Sequence, residues 1–324
     1  MNGYTVAEYG GAEVLRWGPI EVRPPAENEV VVDVAYAGVN FLDVHQRSGK
    51  YPRPLPFVPG NEGSGIVATA GSRVDGLAPG DRVAFAMHGE GSYAERVVVD
   101  AERVVPVPDS VALDDAAGVI LQGVTALCLV DEEARVAPGQ TVLVHSASGG
   151  AGAAIAQVAR HAGATVLGLV STEGKRKLAL ADDTALYTDR GGRYSEWVAE
   201  RTGGDGVAAV FDAVGGDLLT EDLASLGRRG HLVLYGQTSG PFSPISPNAL
   251  ATRSLTVTYS RVSAYLTQPG AFRTLAERLL TMVATGGFAA ANLTALDAEQ
   301  AADAHRALVD RTSRGKMVLR VLGE

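Results

Sequence analysis

The residues with the clearest chemistry are Ser146-Ala147-Ser148-Gly149-Gly150-Ala151-Gly152. Gly149 and Gly152 fall on the last two glycines of a G-x-G-x-x-G fingerprint, with Ala147 in place of the first. Glycine there lets backbone approach a pyrophosphate, which rests on the unpaired N–H groups of a helix N-terminus. Tight strand-to-helix turns also use glycine, so the flanking pattern must support the reading. It does: Thr141–Val144 is a short β-branched run after the turn pair Pro138-Gly139, and Ala153–His161 suits a closely packed helix. A second apolar run, Thr165–Val170, lies one βαβ unit further on. Where an NAD site carries Asp or Glu about 20 residues after the glycines, this chain has Ser171-Thr172, then Lys175-Arg176-Lys177. Hydroxyls and cations suit a 2′-phosphate, whereas a carboxylate repels one. The reading is NADPH; a solvated basic helix start is the alternative, and nearby Glu173 argues against the phosphate.

The elements that position this turn alternate. Candidate strands are Thr141–His145, Thr165–Val170, Ala185–Tyr187, Val207–Asp212, His231–Tyr235 and Leu255–Tyr259, with helices over Ala153–His161, Lys175–Ala181, Ser195–Arg201 and Leu218–Leu226. That is an α/β Rossmann domain with a doubly wound parallel sheet. Upstream, Val30–Ala37, Phe57–Gly60, Gly63–Ala68, Asp81–Ala86 and Glu95–Val99 are short runs broken by Gly and Pro. They predict an irregular, mostly antiparallel β-barrel-like domain. Two amphipathic helices, Ala271–Thr285 and Ala298–Val309, and a strand, Met317–Val321, lie outside the Rossmann repeat and return to the first domain. The expected division is 1–121, 122–266 and 267–324.

Composition narrows the function. The 324 residues are 46% hydrophobic and 20% charged, as in a globular chain of about two domains. A net charge of −9 without a basic stripe argues against nucleic acid and anionic membrane. The apolar stretch Ala116–Val130 is short for a membrane span, and no signal peptide is visible, so a cytoplasmic location is expected. The single cysteine, Cys128, sits in an apolar run and reads as a buried core residue.

Several segments in fixed order carry a resemblance. They include Gly38-Val39-Asn40-Phe41-Leu42-Asp43, Arg47–Pro52, Leu55–Gly60, Gly80–Val83, Gly91–Glu95 and Leu121–Ala126. The glycine turn, Phe211–Gly215 and Gly315-Lys316 continue it. The chain resembles, nearly end to end, the zinc-independent quinone oxidoreductases, the zeta-crystallin-like branch of the medium-chain dehydrogenase/reductase superfamily. The resemblance implies a GroES-like catalytic domain, a Rossmann domain, a homodimer joined through the Rossmann sheet edge, and NADPH-dependent reduction of quinones or related conjugated carbonyls. It also implies a site without metal. Zinc-dependent relatives place a cysteine ligand in the segment matching Ala37–Asp43 and a histidine in that matching Gly60-Asn61-Glu62; here Gly38 or its neighbours, and Asn61, stand there. Zinc needs three or four N, S or O ligands, and His45, His88, His145, His161, His231 and His305 show no ligand spacing.

Carried over from the family, Asn40, Tyr51 and Thr125 line the nicotinamide or substrate cleft. Their bland readings are turn capping, barrel packing and helix packing. His45, where relatives often carry tyrosine, is either a titratable donor near neutrality or a helix-face residue. Ser148, Gly149, Gly150, Ala151 and Gly152 hold the pyrophosphate, and Ser171, Thr172 and Lys175 the 2′-phosphate. Val214, Gly215, Gly236 and Ser239 follow strand C-termini, where open α/β sheets bind ligands. Lys316 is a cleft lysine or a surface one. The second Rossmann helix runs into Asp182-Asp183 instead of the family's Gly-Ala-Asp turn, which leaves Tyr187 and Arg190 as minor cofactor candidates and adds acid against NADPH. A metal-free site needs a substrate already electrophilic, such as a quinone or enone, so that hydride adds directly. The alternatives are a 2-enoyl thioester or alkenal reductase, and an NADPH-binding protein with little turnover.

Overall fold

The structure is a computed structural model that describes residues 1–87, 89 and 91–323. His88 therefore lies outside the described residues. The chain forms two compact units, Met1–Val124 with Leu266–Glu324, and Thr125–Tyr265.

The first unit is built on Glu29–Val39, an eleven-residue strand. Its sequence alternates poorly because most of its residues are buried on both faces. It pairs antiparallel with Glu62–Ala70, Arg96–Asp100 and Met317–Arg320. Register shifts between Val31 and Val32, and between Val34 and Tyr36, bend it as bulges do. The sheet continues through Arg82–Ala86 to Val104–Pro106, and on the other side Met317–Arg320 pairs parallel with Thr294–Asp297. Val30, Val32, Val34, Val67, Phe85 and Val99 form the centre of its core, which the helix Ala301–Val309 joins through Ala304 and Leu308. Phe57–Gly60 makes one isolated bridge, Val6 to Phe57, rather than a strand; Pro59 removes a donor that a ladder needs.

The second unit is a six-stranded parallel sheet. Its order is Asp183–Leu186, Thr165–Val170, Thr141–Val144, Val207–Asp212, Leu226–Leu234, Thr256–Tyr259. Chain order reverses beside Thr141–Val144, the place where such sheets bind ligands. The helix expected over Lys175–Ala181 is one turn, Glu173–Arg176. Arg176 explains its position: its side chain donates to the Thr184 carbonyl and pairs with Asp189 at 2.7 Å.

The apolar stretch near residue 120 lies in a helix, Leu113–Glu133, which has the length and composition of a membrane span but is 78% buried over its most apolar window. Within it, burial pushes the Cys128 thiol up to about 12, aided by Glu132 and Asp131, so the thiol stays protonated.

Candidate functional site

In the second unit the helix Gly150–His161 begins at Gly149, an extended residue, and no side chain caps it. The first-turn N–H groups of Gly150, Ala151 and Gly152 therefore have no partner inside the helix. Gly152 is needed for close approach. A Cβ there would strike the Ser146 carbonyl oxygen and lie 2.7 Å from that of His145. Ser146 has φ +49°, and its N–H donates to the Tyr187 hydroxyl at 2.8 Å. Tyr187 thus supports the turn from below, a role its sequence position did not show. Ser148 is buried.

At the end of Thr165–Val170, Ser171 and Thr172 are exposed and Lys175 is half-buried. Glu173, the nearby acid, is paired with Arg176 at 2.8 Å. Asp182 accepts from the Val166 N–H at 2.8 Å, and Asp183 pairs with Arg201. Both acids therefore serve the sheet edge. Arg190 is also engaged: both its terminal nitrogens reach Glu200 at 2.6 Å, so its guanidinium closes an ion pair rather than offering itself to a phosphate. Val214 and Gly215 differ from expectation as well. Their N–H groups donate to Asp212 Oδ1 at 2.6 and 3.3 Å, which fixes the turn. Ser239 N–H donates to the Val214 carbonyl at 2.8 Å, and Gly236 lies against Ala213, so these strand ends brace one another. Thr125 is half-buried within the long helix.

In the first unit, Asn40 precedes the helix Phe41–Arg47 and Asp43 accepts from its backbone N–H at 2.7 Å. Capping is thus real, yet the Asn40 side chain does something else. Its Nδ2 donates to Glu62 Oε1 at 2.7 Å, and its Oδ1 accepts from Lys316 Nζ at 2.9 Å and from Gln122. Lys316 is no surface lysine: it is 3% exposed, donates also to the Val39 carbonyl at 3.2 Å, and forms an ion pair with Glu62, which is fully buried. Its three donors are taken, so it orients Asn40 and Glu62 instead of reaching for a phosphate. Glu62 Oε2 accepts from the Leu121 N–H at 2.8 Å. Glu62 and Gln122 are the members that sequence reasoning missed, because charge partners distant in sequence leave no periodic signal. A Cβ at Gly38 would strike the Glu62 side chain, so that glycine makes room for the carboxylate.

Below this network Asp43 accepts from Asn61 Nδ2 at 2.5 Å and from the Tyr93 hydroxyl at 3.2 Å. Burial raises its carboxyl to about 6, against the bonds from Asn61 and Asn40 that favour the charged form. The Tyr93 hydroxyl also meets His305 Nε2 at 3.2 Å. Since Tyr93 donates to Asp43, the His305 proton sits on Nε2.

His45 and Tyr51 lie together, rings 5.1 Å apart edge to face, with Tyr51 exposed. Burial, then Lys50, pushes His45 down to about 4, so its imidazole is neutral at pH 7 rather than titrating near neutrality. Burial likewise pushes His305 down to about 3. Both shifts have a sign for stability. The unfolded rings take up protons near 6.5, while the folded ones do not, so they withdraw stability as pH falls from 6.5 toward 4. Asp43 acts oppositely; its contribution is present below 3.8 and lost as pH rises through about 6. His45→Phe, which keeps the edge against Tyr51, should shrink the drop in urea midpoint between pH 7 and pH 5; an unchanged drop would refute the neutral buried ring.

Comparison with known proteins matches these two units to known families. Residues 26–109 match the alcohol dehydrogenase GroES-like domain, and residues 150–281 the zinc-binding dehydrogenase family. The chain is similar to the quinone oxidoreductase of Pseudomonas aeruginosa, 34% identical over 318 residues covering 97% of each. It is 34% identical over 330 residues to a 2-haloacrylate reductase of a Burkholderia species, covering 96% of each. Among solved structures, the Escherichia coli quinone oxidoreductase complexed with NADPH superposes with TM-score 0.92 at 31% identity, covering 99% of this chain and all of that one. The buried Asn40–Glu62–Lys316 cluster and the uncapped glycine turn therefore sit in a chain that belongs to the quinone oxidoreductase, zeta-crystallin-like branch of the medium-chain dehydrogenase/reductase superfamily.

Proposed function

We propose that this protein is an NADPH-dependent reductase of quinones or related conjugated carbonyls that works without a metal. The observation that carries it is the glycine turn, where a Cβ at Gly152 would strike the Ser146 and His145 carbonyls beneath an uncapped helix start. Relatives of this length and fold include one solved with NADPH. Ser148, the close-approaching Gly149 and the N–H groups of Gly150, Ala151 and Gly152 would hold the pyrophosphate, the Gly149 N–H itself donating to the Ser146 carbonyl at 2.8 Å, and Ser171, Thr172 and Lys175 would hold the 2′-phosphate. When bound, the cofactor supplies hydride. The chain supplies position and polarity: Asn40, fixed by buried Glu62 and Lys316 and half-buried Gln122, presents an amide whose remaining N–H can meet a carbonyl or carboxamide. Tyr51 offers an exposed hydroxyl for the developing oxyanion.

Zinc does not fit this first unit. The space a side chain at Gly38 would need is filled by Glu62, Asn61 is engaged with Asp43 and Gln46, and the Lys316 ammonium already neutralises the carboxylate. A second reading, reduction of a conjugated acid or alkenal, is favoured by the similarity to 2-haloacrylate reductase. It requires a proton for carbon, which neutral His45 serves poorly. We further propose a cytoplasmic homodimer. Among the described residues Thr256–Tyr259 is the last strand of its sheet, paired with Leu226–Leu234, and such an edge suits pairing with a second copy.

The test is oxidation of NADPH or NADH by 1,4-benzoquinone, followed by nicotinamide absorbance. Turnover with NADPH well above NADH supports the reading; turnover with NADH alone overturns the cofactor. Lys175→Glu should then raise KM for NADPH roughly ten-fold relative to NADH, the worth of one charge-assisted hydrogen bond. Equal effects on both would remove Lys175 from the phosphate site.

A further inference from the structure

The reductase reading leaves one buried cluster of ionisable groups unused. His145, next after the strand Thr141–Val144, has no exposed surface. Its Nδ1 lies 3.3 Å from Asp212 Oδ1 and its Nε2 2.8 Å from Asp222 Oδ1, both carboxylates fully buried. The rings of Tyr187 and Tyr194 stand edge-on at 5.5 and 5.8 Å, and the Tyr235 hydroxyl is buried near Asp212. The three ligand types could suit a metal. Their arrangement does not, because each carboxylate addresses a different ring nitrogen, whereas one ion takes only one of them. The oxygens also lie off the N–H axes, so the contacts are ionic rather than aligned hydrogen bonds.

What the imidazole joins is specific. Its own backbone N–H donates to the Phe211 carbonyl at 3.0 Å. Asp212 holds the Val214 and Gly215 N–H groups through the same oxygen that faces Nδ1. Asp222, on the helix Leu219–Ser225, is fixed by the Tyr194 hydroxyl at 2.6 Å. The next residue, Ser146, opens the glycine turn and is held by Tyr187. Two buried carboxylates without a cation would repel each other in a low dielectric.

We propose that His145 is a cationic positioning residue that clamps the glycine turn to the Val214-Gly215 turn and so sets dinucleotide affinity without entering the chemical step. The inference rests on the reading of Ser148–Gly152 as the dinucleotide turn. Burial alone would neutralise the ring, but Asp222, then Asp212, outweigh it and raise its pKa above 6.5. The clamp is therefore closed below that raised value and opens as pH rises through it.

The experiment titrates NADPH into the full-length protein and into His145→Gln and Asp222→Asn, with steady-state kinetics on 1,4-benzoquinone across pH. His145→Gln should raise Kd and KM for NADPH about ten-fold, with kcat changed less than about two-fold. In the unaltered protein Kd should rise at alkaline pH. Asp222→Asn removes the stronger raising charge and keeps an oxygen for Tyr194, so it should move that rise to lower pH. A merely structural residue would lower the melting temperature and leave the pH profile in place. An unmoved profile, or an NADPH Kd in His145→Gln within about two-fold of the original, overturns the proposal. If His145→Gln does not fold, Asp222→Asn decides by the same profile. Failure of the unaltered protein to bind NADPH would instead overturn the dinucleotide reading, and the proposal with it.

Discussion

Lys316→Met should destabilise the first unit by about 3–5 kcal/mol, the cost of leaving a buried charge without its partner. Glu62 has no exposed surface. Its Oε1 meets Lys316 and the Asn40 amide, and its Oε2 takes the Leu121 N–H. Without the ammonium the carboxylate must either bind a proton or draw the strand Glu62–Ala70 toward water. Methionine fills similar volume, so packing loss is a small part of the effect. Adding Glu62→Gln removes the stranded charge and should recover more than half of the loss. Urea unfolding of both single variants and the double variant measures this as a coupling energy. Equal, additive losses would mean that the pair contributes by packing alone. Because Lys316 also holds Asn40 Oδ1 at 2.9 Å, the single variant should lose turnover even where it remains folded.

The legibility of this molecule in its sequence follows the range of the forces involved. Thr165–Val170 and Val207–Asp212 have the bounds that the apolar runs gave, because a strand covered on both faces is continuously hydrophobic. The helix Phe41–Arg47 was envisaged only as an alternative setting for His45, without bounds, and the strand Thr294–Asp297 was missed. The first is seven residues held by polar bonds from Asp43, and the second is an edge strand with little burial; neither has a hydrophobic period to read. The glycine turn was visible because its constraint is local: Gly152 lies six residues from the Ser146 carbonyl that it touches. Glu62 and Lys316 were not, being 254 residues apart. The partners of Arg190, Val214 and Gly215 were hidden for a related reason. Position at a strand end suggested ligand contact for Val214 and Gly215, and the segment after Asp182-Asp183 suggested it for Arg190, but the acids that take their donors, Asp212 and Glu200, left no local signal.

Gly152→Ala should reduce kcat/KM for NADPH by on the order of 100-fold, the cost of displacing a binding element by about an ångström. The added methyl would collide with the Ser146 carbonyl oxygen and stand 2.7 Å from that of His145. Both are backbone atoms, so no side chain can rotate away. Ser146 already holds a left-handed φ of +49° and is tied to Tyr187, so the turn cannot yield on that side. The helix Gly150–His161 must therefore lift, taking its first-turn N–H groups from the place where a pyrophosphate would rest. Overpacking of this kind costs about 1–3 kcal/mol in stability, too little by itself to unfold a sheet of six strands. The loss should thus appear in NADPH titration before it appears in thermal unfolding. Gly18→Ala provides the contrast: a Cβ there meets nothing within 4 Å, and both binding and melting should stay unchanged. If Gly152→Ala binds NADPH as the unaltered protein does, the glycine turn is only a tight corner between strand and helix, and the dinucleotide must be held elsewhere.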